Sequence, residues 1–548
     1  MINLLIAFYL VYKKSINMRI TLAFSGPAWI WVNTSWLILS EVLASIWYEI
    51  YADKEYSSVI KWWNNVFIIY ISDNKAFISK NIDFYIHFDD YSLQKNEVVY
   101  TIWEKLKLDR KIAKHANSYA VWCALKYLWV KLDAVNDVLK SKFKEEIAEE
   151  NMIDIRAWYE SIAEQKYSLE PIWKHRDILY GNELIAKWAI DSWLEYYSAY
   201  PMTPASSIID AILHHSQDVV FHQAEDEIAV AMSMLWAKFA WKRAMCWTSW
   251  GWFALMSESI SYSWMAEIWW VYILSQRAGP STWTPTFTGQ WDIDFALCPT
   301  FGDIYPIVIV PSTFEEAYNM IWKALNWSDI YQHPVIVLLD KQFSESYATV
   351  DKSRLKPEPI NRWRLLENPN EGYARYAYET FSQERISPYT VPWTANWEFI
   401  ATSYEHDIYG KETEDPKIKF MMEDKRFRKI DIFEDNEYNP DFYWFEVINP
   451  EARKFFITFS SNRWAAEWAL EKKKDFWLII ITMFHPIDYR LQKFFDSNVD
   501  KLVFLEQNQS WQFQNLVCSK FSLKKQIIQF KRIYNLYPIF EEQLWEKI

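Results

Sequence analysis

The chain is 548 residues long, 51% apolar, with a formal net charge of −13. That length is room for about three to four domains of roughly 100–200 residues, and the acidic balance excludes the clustered Lys and Arg of a nucleic-acid surface. Four scattered cysteines, Cys123, Cys246, Cys298 and Cys518, form no Cys-x-x-Cys pair; they argue against an iron–sulfur or zinc site built by this chain alone and suit a reducing cytoplasm.

The opening residues, MINLLIAFYLVYKK, are too few to span a bilayer and carry their charges at the wrong end for a secretory signal. Translation is expected to start at Met18, with a short native extension as the alternative. Residues 19–24 read as a buried strand, followed by the turn Gly26-Pro-Ala-Trp29-Ile-Trp31 and a helix over 34–46 capped by Asn33. Strands are predicted at 48–52 and 66–71, which makes a β-α-β start of the doubly wound kind. Residues 132–176 are charged and helical. A second α/β unit runs over 181–350, with strands at 219–221, 271–275, 307–310 and 335–339 and a helix over 225–239. Residues 351–449 are polar and charged and read as a connecting segment. A third α/β unit covers 450–540, with strands at 455–459, 477–482 and 501–505.

One anomaly governs the rest. There are 34 Trp and 8 Gly, where ordinary usage of about 7% Gly would give roughly 38. The Trp residues fall in turns that need positive φ or close backbone approach, such as Trp62-Trp63, Trp247 to Trp252 and Trp283. This pattern is expected of a gene in which UGA encodes glycine, written out with UGA as tryptophan; Trp103, Trp173 and Trp545 are among the genuine ones. The alternative is a truly Trp-rich carbohydrate-binding protein with stacking platforms.

With Trp read as Gly, long motifs emerge. They are Gly181-Asn-Glu-Leu-Ile-Ala-Lys-Trp188, Tyr200-Pro201-Met202-Thr203-Pro204, His222-Gln-Ala-Glu225-Asp226-Glu227, the Trp247–Trp252 cluster and Gln276-Arg277-Ala-Gly-Pro-Ser-Thr-Trp283-Thr-Pro-Thr286. Further matches are Gly26–Trp31, Ser58–Asn64, Glu405-His406-Asp407, Asp424-Lys425-Arg426, Ser460–Trp464 and Glu506–Gln512. Together they resemble the alpha subunit of 2-oxoglutarate (2-oxoacid):ferredoxin oxidoreductases, in the form whose gamma domain is fused in front. Trp269-Trp270, Phe301 and Asn535–Pro538 depart from the family pattern, away from the substrate motifs.

The resemblance implies an α/β fold of three doubly wound domains: a gamma-type Rossmann-like domain over 18–176, a thiamine-diphosphate pyrimidine-binding domain over 181–350 and, after the 351–449 connector, a transketolase C-terminal-like domain over 450–540. It implies oxidative decarboxylation of a 2-oxoacid, 2-oxoglutarate favoured over pyruvate or branched-chain acids, to acyl-coenzyme A and CO₂ with reduction of ferredoxin. Thiamine diphosphate would be shared with a beta subunit that carries the Mg²⁺ and an iron–sulfur cluster; this chain would hold no metal, nucleic acid or membrane.

The resemblance also assigns roles. Glu225 would hydrogen-bond the cofactor's pyrimidine and act as the catalytic carboxylate; its plainer reading is a helix N-terminal carboxylate stabilised by the macrodipole, with Asp226 and Glu227 as bystanders. Tyr200, Pro201 and Thr203 would lie against the cofactor, Thr203 also against the substrate. Arg277 would grip the 2-oxoacid carboxylate with two hydrogen bonds, and Thr286 would add a hydroxyl. Trp250 and Gly251 mark a turn where the backbone approaches the cofactor. His406 and Lys425-Arg426 are expected to be structural.

Overall fold

The computed structural model describes residues 18–27, 32–46, 48–56, 64–73, 75, 77–87, 97–98, 101–102, 116–128, 130–159, 177–280, 284–377, 386–438, 443–497, 499–523, 528–532 and 537–545. The turn residues 28–31, the motif residues 58–63 and 281–283, and Asn535 and Leu536 lie outside the described residues. The chain forms two compact units. One comprises Met1–Gly181, Glu345–Arg354 and Pro538–Ile548; the other comprises Asn182–Ser344 and Leu355–Tyr537.

In the first unit, β1 (Arg19–Pro27) puts Ile20, Leu22 and Phe24 at period two into one core. α1 (Val32–Ser45) meets them with Trp36, Leu39, Val42 and Leu43, a helical stripe. β2 (Glu49–Tyr56) does not lie beside β1 as a β-α-β unit would have it. β3 (Asn64–Ser72) lies between and runs antiparallel to both, with Leu22 opposite Ile69 and Ile50 opposite Ile71. A short connection from β2 to β3 suits an antiparallel return, whereas a parallel crossover needs a dozen residues or more. β4 (Phe84–His87) then adds parallel to β1, and β5 (Thr101–Ile102) parallel to β4. Helices α2 (Ala116–Leu128), α3 (Leu132–Lys142) and α4 (Glu145–Tyr159) contribute Trp122, Val135 and Ile155 to the same core. β6 (Asp177–Tyr180) and a later strand, Tyr347–Val350, complete the seven-stranded mixed sheet.

The second unit holds two sheets. The first contains β7 (Tyr196–Ala199), β8 (Val220–Gln223), β9 (Ala244–Thr248), β10 (Val271–Gln276), β11 (Ile307–Ile309) and β12 (Val335–Asp340), all parallel, in the order β8-β7-β9-β10-β12-β11. Every residue of β10 and β12 is buried, as expected of a parallel sheet covered on both faces. Its helices are α5 (Gly181–Asp191), α6 (Ser207–His215), α7 (Glu227–Phe239), α8 (Ser257–Ala266), α9 (Ile293–Leu297) and α10 (Phe314–Ile330). A capping box, Thr313 with Glu316, starts α10.

The segment 351–449, expected to be a connector, contains a 22-residue helix, α11 (Pro416–Glu437), with Asp415 as N-cap and Pro416 in the first turn. Its buried face is ionic: Lys425 and Lys429 both pair with the buried Glu267, and Arg426 pairs with Glu405 at 2.8 Å. His406 is fully buried, its Nδ1 donating to the Tyr404 carbonyl, in keeping with a structural role for these three motif residues.

The last sheet, in the order β13 (Phe445–Ile448), β15 (Phe476–Ile481), β14 (Lys454–Thr458), β17 (Lys501–Glu506), β18 (Ile528–Arg532), is parallel except for β13. It carries α12 (Asn462–Lys472) and α13 (Gln512–Lys520). Between β15 and β17, β16 (Met483–His485) leaves this sheet and pairs antiparallel with β11, as the edge strand of the first sheet. A buried polar chain also joins the two sheets. Gln290 and Ser461 donate to Asp340 at 3.0 and 2.7 Å, Asn462 donates to Gln290 at 2.8 Å, and Gln507 donates to Asn462 at 3.1 Å.

Candidate active site

In an open parallel sheet, ligands meet the loops at the carboxyl ends of the strands. The predicted site residues all sit there, on adjacent strands. Tyr200 to Thr203 follow β7, Glu225 to Glu227 follow β8, Trp250 and Gly251 follow β9, and Arg277 to Thr286 follow β10.

The β7 and β10 loops touch directly: Arg277 Nη1 donates to the Thr203 carbonyl at 2.8 Å. Asn182, at the start of α5, holds the first of these loops by donating to the Pro204 carbonyl and the Ser207 hydroxyl, each at 2.7 Å. Tyr200 reaches the turn after β9, its ring 6.3 Å from that of Trp252. That turn, Trp250–Met256, is a 3₁₀ segment running straight into α8, as the sequence led one to expect of a turn before a helix. Gly251 is exposed and open space surrounds it. Ser249 and Trp247 tie the turn to β10, donating to the Ser275 carbonyl and hydroxyl at 2.7 and 3.1 Å.

The loop after Arg277 folds back on itself, with the Ala278 N–H donating to the Phe287 carbonyl at 3.0 Å. Gly289 permits this. A Cβ there would stand 3.2 Å from the Ala278 backbone. The fold-back buries Thr286, Thr288 and Asp292, and it sets the Asp292 N–H on the Gln276 side chain at 3.0 Å. Among the described residues, Thr286 Oγ1, Thr288 Oγ1, Asp292 Oδ2 and Gln276 Nε2 have no hydrogen-bond partner. Burial lowers the pKa of the Arg277 guanidinium, with Asp292 opposing; burial pushes the Asp292 carboxyl up to about 7, with Arg277 opposing. Such groups collect where a polar ligand is held.

The three acidic residues after β8 separate sharply. Glu225 is exposed. Asp226 is the N-cap of α7, accepting from the Ala229 N–H at 2.7 Å. Glu227 is 2% exposed, and both its carboxylate oxygens lack a partner among the described residues. Burial first, and the adjacent Asp226 carboxylate, push its carboxyl above the usual range. The sequence carried a signal for this. Glu227 falls in phase with Val230, Ala231, Met234 and Leu235, the buried stripe of α7. Asp292 and Gln276 gave no comparable pattern.

Trp122, Trp247, Trp269, Trp270, Trp327, Trp444 and Trp468 are wholly buried and cannot serve as the exposed rings of a carbohydrate platform, whereas Trp193, Trp236 and Trp393 are exposed.

Residues 189–424 match the family described as "Pyruvate flavodoxin/ferredoxin oxidoreductase, thiamine diP-bdg". The chain is 33% identical over 367 residues to the 2-oxoacid:ferredoxin oxidoreductase 2 alpha subunit of Aeropyrum pernix, a match that covers 63% of this chain and 56% of that one. It is 25% identical over 621 residues to the 2-oxoacid:ferredoxin oxidoreductase alpha subunit of a Sulfolobus species, covering 97% of this chain and 96% of that one. A 2-oxoglutarate synthase subunit KorA of Methanocaldococcus jannaschii is 26% identical over 304 residues, 55% of this chain and 79% of that one. Among solved structures, 2-oxoglutarate:ferredoxin oxidoreductase from Magnetococcus marinus, with 2-oxoglutarate, coenzyme A and succinyl-CoA bound, superposes with a TM-score of 0.84 at 24% identity. The superposition covers 96% of this chain and 98% of that one, and it shows that the fold is shared from end to end. The motif loops, their convergence at the carboxyl end of one sheet and these relatives agree in one likeness: the chain is similar to 2-oxoacid:ferredoxin oxidoreductase alpha subunits.

Proposed function

We propose that this chain is the alpha subunit of a thiamine-diphosphate-dependent enzyme that oxidatively decarboxylates a 2-oxoacid, 2-oxoglutarate by preference, to acyl-coenzyme A and CO₂ while reducing ferredoxin. The observation that carries this reading is the buried Glu227 carboxyl, both oxygens without a hydrogen-bond partner among the described residues, at the start of the helix that follows β8, the strand next to the one whose loop carries the Thr203 contact to Arg277. The orphaned carboxyl suits the pyrimidine of thiamine diphosphate, and Glu227 replaces Glu225 as the residue we assign to that contact. Thiamine diphosphate, when bound, supplies the carbanion chemistry. A carboxyl group raised by burial keeps a proton closer to neutral pH and is suited to exchanging it with a ring nitrogen. Arg277 donates to the Thr203 carbonyl at 2.8 Å, and its planar guanidinium is suited to a substrate carboxylate. The Thr286 hydroxyl, buried and without a partner among the described residues, is suited to a polar atom of the same substrate.

A beta subunit would bring the iron–sulfur cluster, the Mg²⁺ and the diphosphate contacts, with ferredoxin as the electron acceptor. Among the described residues no helix is long and apolar enough to cross a membrane, and the assembly is proposed to be cytoplasmic. The test is turnover by the assembled enzyme, offered 2-oxoglutarate, pyruvate and a branched-chain 2-oxoacid with coenzyme A and ferredoxin. Glu227→Gln should lower kcat roughly 100-fold or more, and Glu225→Gln should leave it within about twofold. Loss of activity in the second variant alone would return the role to Glu225, and no turnover of any 2-oxoacid would end the reading.

A further inference from the structure

Asn182 is fully buried in the first turn of α5, a helix whose Ile185, Ala186 and Ala189 are also fully buried. An Asn this close to a helix start ordinarily turns its side-chain oxygen on the helix's own N–H groups. Here Oδ1 has no hydrogen-bond partner among the described residues, and Nδ2 directs both its protons elsewhere, to the Pro204 carbonyl and the Ser207 hydroxyl, 22 and 25 residues along the chain. The amide therefore serves the loop after β7 and not its own helix. Proline has no N–H, so the carbonyl is the main-chain group by which Pro204 can be held. The preceding carbonyl, that of Thr203, accepts from Arg277 Nη1 at 2.8 Å. Two successive carbonyls thus meet two different elements, the buried helix α5 and the Arg277 side chain. Between them the pyrrolidine ring locks the Pro204 φ, which removes one of the two rotations that would let the carbonyls turn separately.

We propose that Asn182 is a positioning residue for the 2-oxoacid: it fixes the Pro204 carbonyl, thereby the Thr203 carbonyl, and through that the Arg277 guanidinium to which the substrate carboxylate binds. This rests on the reading of Arg277 as the 2-oxoacid anchor. A guanidinium is planar, and its two-point grip on a carboxylate works over a narrow range of orientations. Without Asn182 the loop keeps its prolines but loses its tie to α5, and the Thr203 carbonyl no longer sets the plane of Arg277. Glu227, the residue assigned to the cofactor, stands at the start of α7 and not in this loop, so the loss falls on oxoacid binding rather than on the chemical step.

Asn182→Leu keeps the branching and bulk of the side chain and removes both donated bonds. In the assembled enzyme it should raise the KM for 2-oxoglutarate or pyruvate, whichever is turned over, about tenfold, with kcat changed less than about threefold and the KM for coenzyme A unchanged. In the Arg277→Ala background the same substitution should add no more than about twofold, since the group it positions is gone. A side chain that only stabilises the fold would lower the melting temperature and multiply its effect with that of Arg277→Ala. Ser207→Ala, which releases one end of the amide and leaves the Pro204 bond, should raise the same KM about threefold, and it carries the test if Asn182→Leu does not fold. An unchanged KM in the folded Asn182 variant, or in Ser207→Ala where that variant does not fold, overturns the inference, and so do effects that multiply across the Arg277 pair. Arg277→Ala alone separates the two levels. If it raises KM while Asn182→Leu does not, only the Asn182 inference falls. If it leaves KM unchanged, the 2-oxoacid reading of Arg277 falls, and this inference with it.

Discussion

At the scale of single residues, the backbone itself objects to several tryptophans. Trp193, Trp241, Trp363, Trp393 and Trp511 all have positive φ, between 60° and 77°. Trp193 and Trp241 sit at the left-handed position just past α5 and α7. There the N–H of the Trp and that of the next residue both bond back into the last turn: Trp193 to Ile190, Leu194 to Ala189, Trp241 to Lys238, Lys242 to Ala237. Glycine is the usual occupant of that position. We infer that the natural chain has Gly at such sites, as a gene with UGA glycine codons would give. Peptide masses of the natural protein spanning positions 193 and 241 check this, and Trp at both would end it. Trp193 is 64% exposed, so Trp193→Gly gives up little burial; removing the left-handed strain should stabilise the chain by about 1 kcal/mol, read as a shift of the urea midpoint at constant slope. For the substrate contact, Arg277→Ala should cost roughly 10- to 100-fold in kcat/KM for the 2-oxoacid, with cofactor affinity less affected.

At the scale of elements, the sequence showed most where apolar periodicity was clean. β10 and β12 were legible from the apolar runs Val271–Leu274 and Val335–Leu339, and the motif loops fell at the strand ends where they were expected. The 22-residue α11 was not legible, because its buried face presents Lys425, Arg426 and Lys429 where an apolar stripe would announce a helix. The order of the first sheet was hidden for a different reason: a strand's own pattern says which face is buried and nothing about which neighbour it chooses. Glu225 was preferred over Glu227 on a motif match, although helix phase favoured the latter.

Two histidines give the entry to β11 a pH dependence. His333 Nε2 donates to the Tyr305 carbonyl, and His485 Nδ1 donates to the Pro306 carbonyl at 2.7 Å. Burial lowers their pKa values to about 3 and about 4. The folded state therefore binds fewer protons than the unfolded one between those values and about 6.5, the unperturbed value. Their stabilisation is complete above pH 6.5 and is lost progressively as pH falls toward 4 and then 3. The melting temperature should drop over that interval, and His333→Gln should make the drop shallower. An unchanged slope in that variant would show that carboxylate protonation elsewhere dominates.

At the scale of the whole molecule, the 182–344 and 450–537 segments fold as separate sheets inside one compact unit, while Tyr347–Val350 joins the sheet of the other. The polar chain through Asp340, Gln290, Asn462 and Gln507 and the excursion of β16 to β11 tie them together. Native-state hydrogen exchange should show β11, β12 and β16 opening as one unit; loss of protection in β16 well before β12 would contradict this.

The same strand exchange has a consequence during synthesis. β11 has no edge partner until β16 has been made, roughly 170 residues later. At about 5–20 residues per second, that leaves an unpaired edge for on the order of 10–30 s. An open edge of a growing parallel sheet is a template for another chain. A fragment ending near residue 440 should accordingly self-associate in light scattering at concentrations where the full chain does not, and pairing within the chain would then depend on the C-terminal sheet being delivered before another nascent chain arrives.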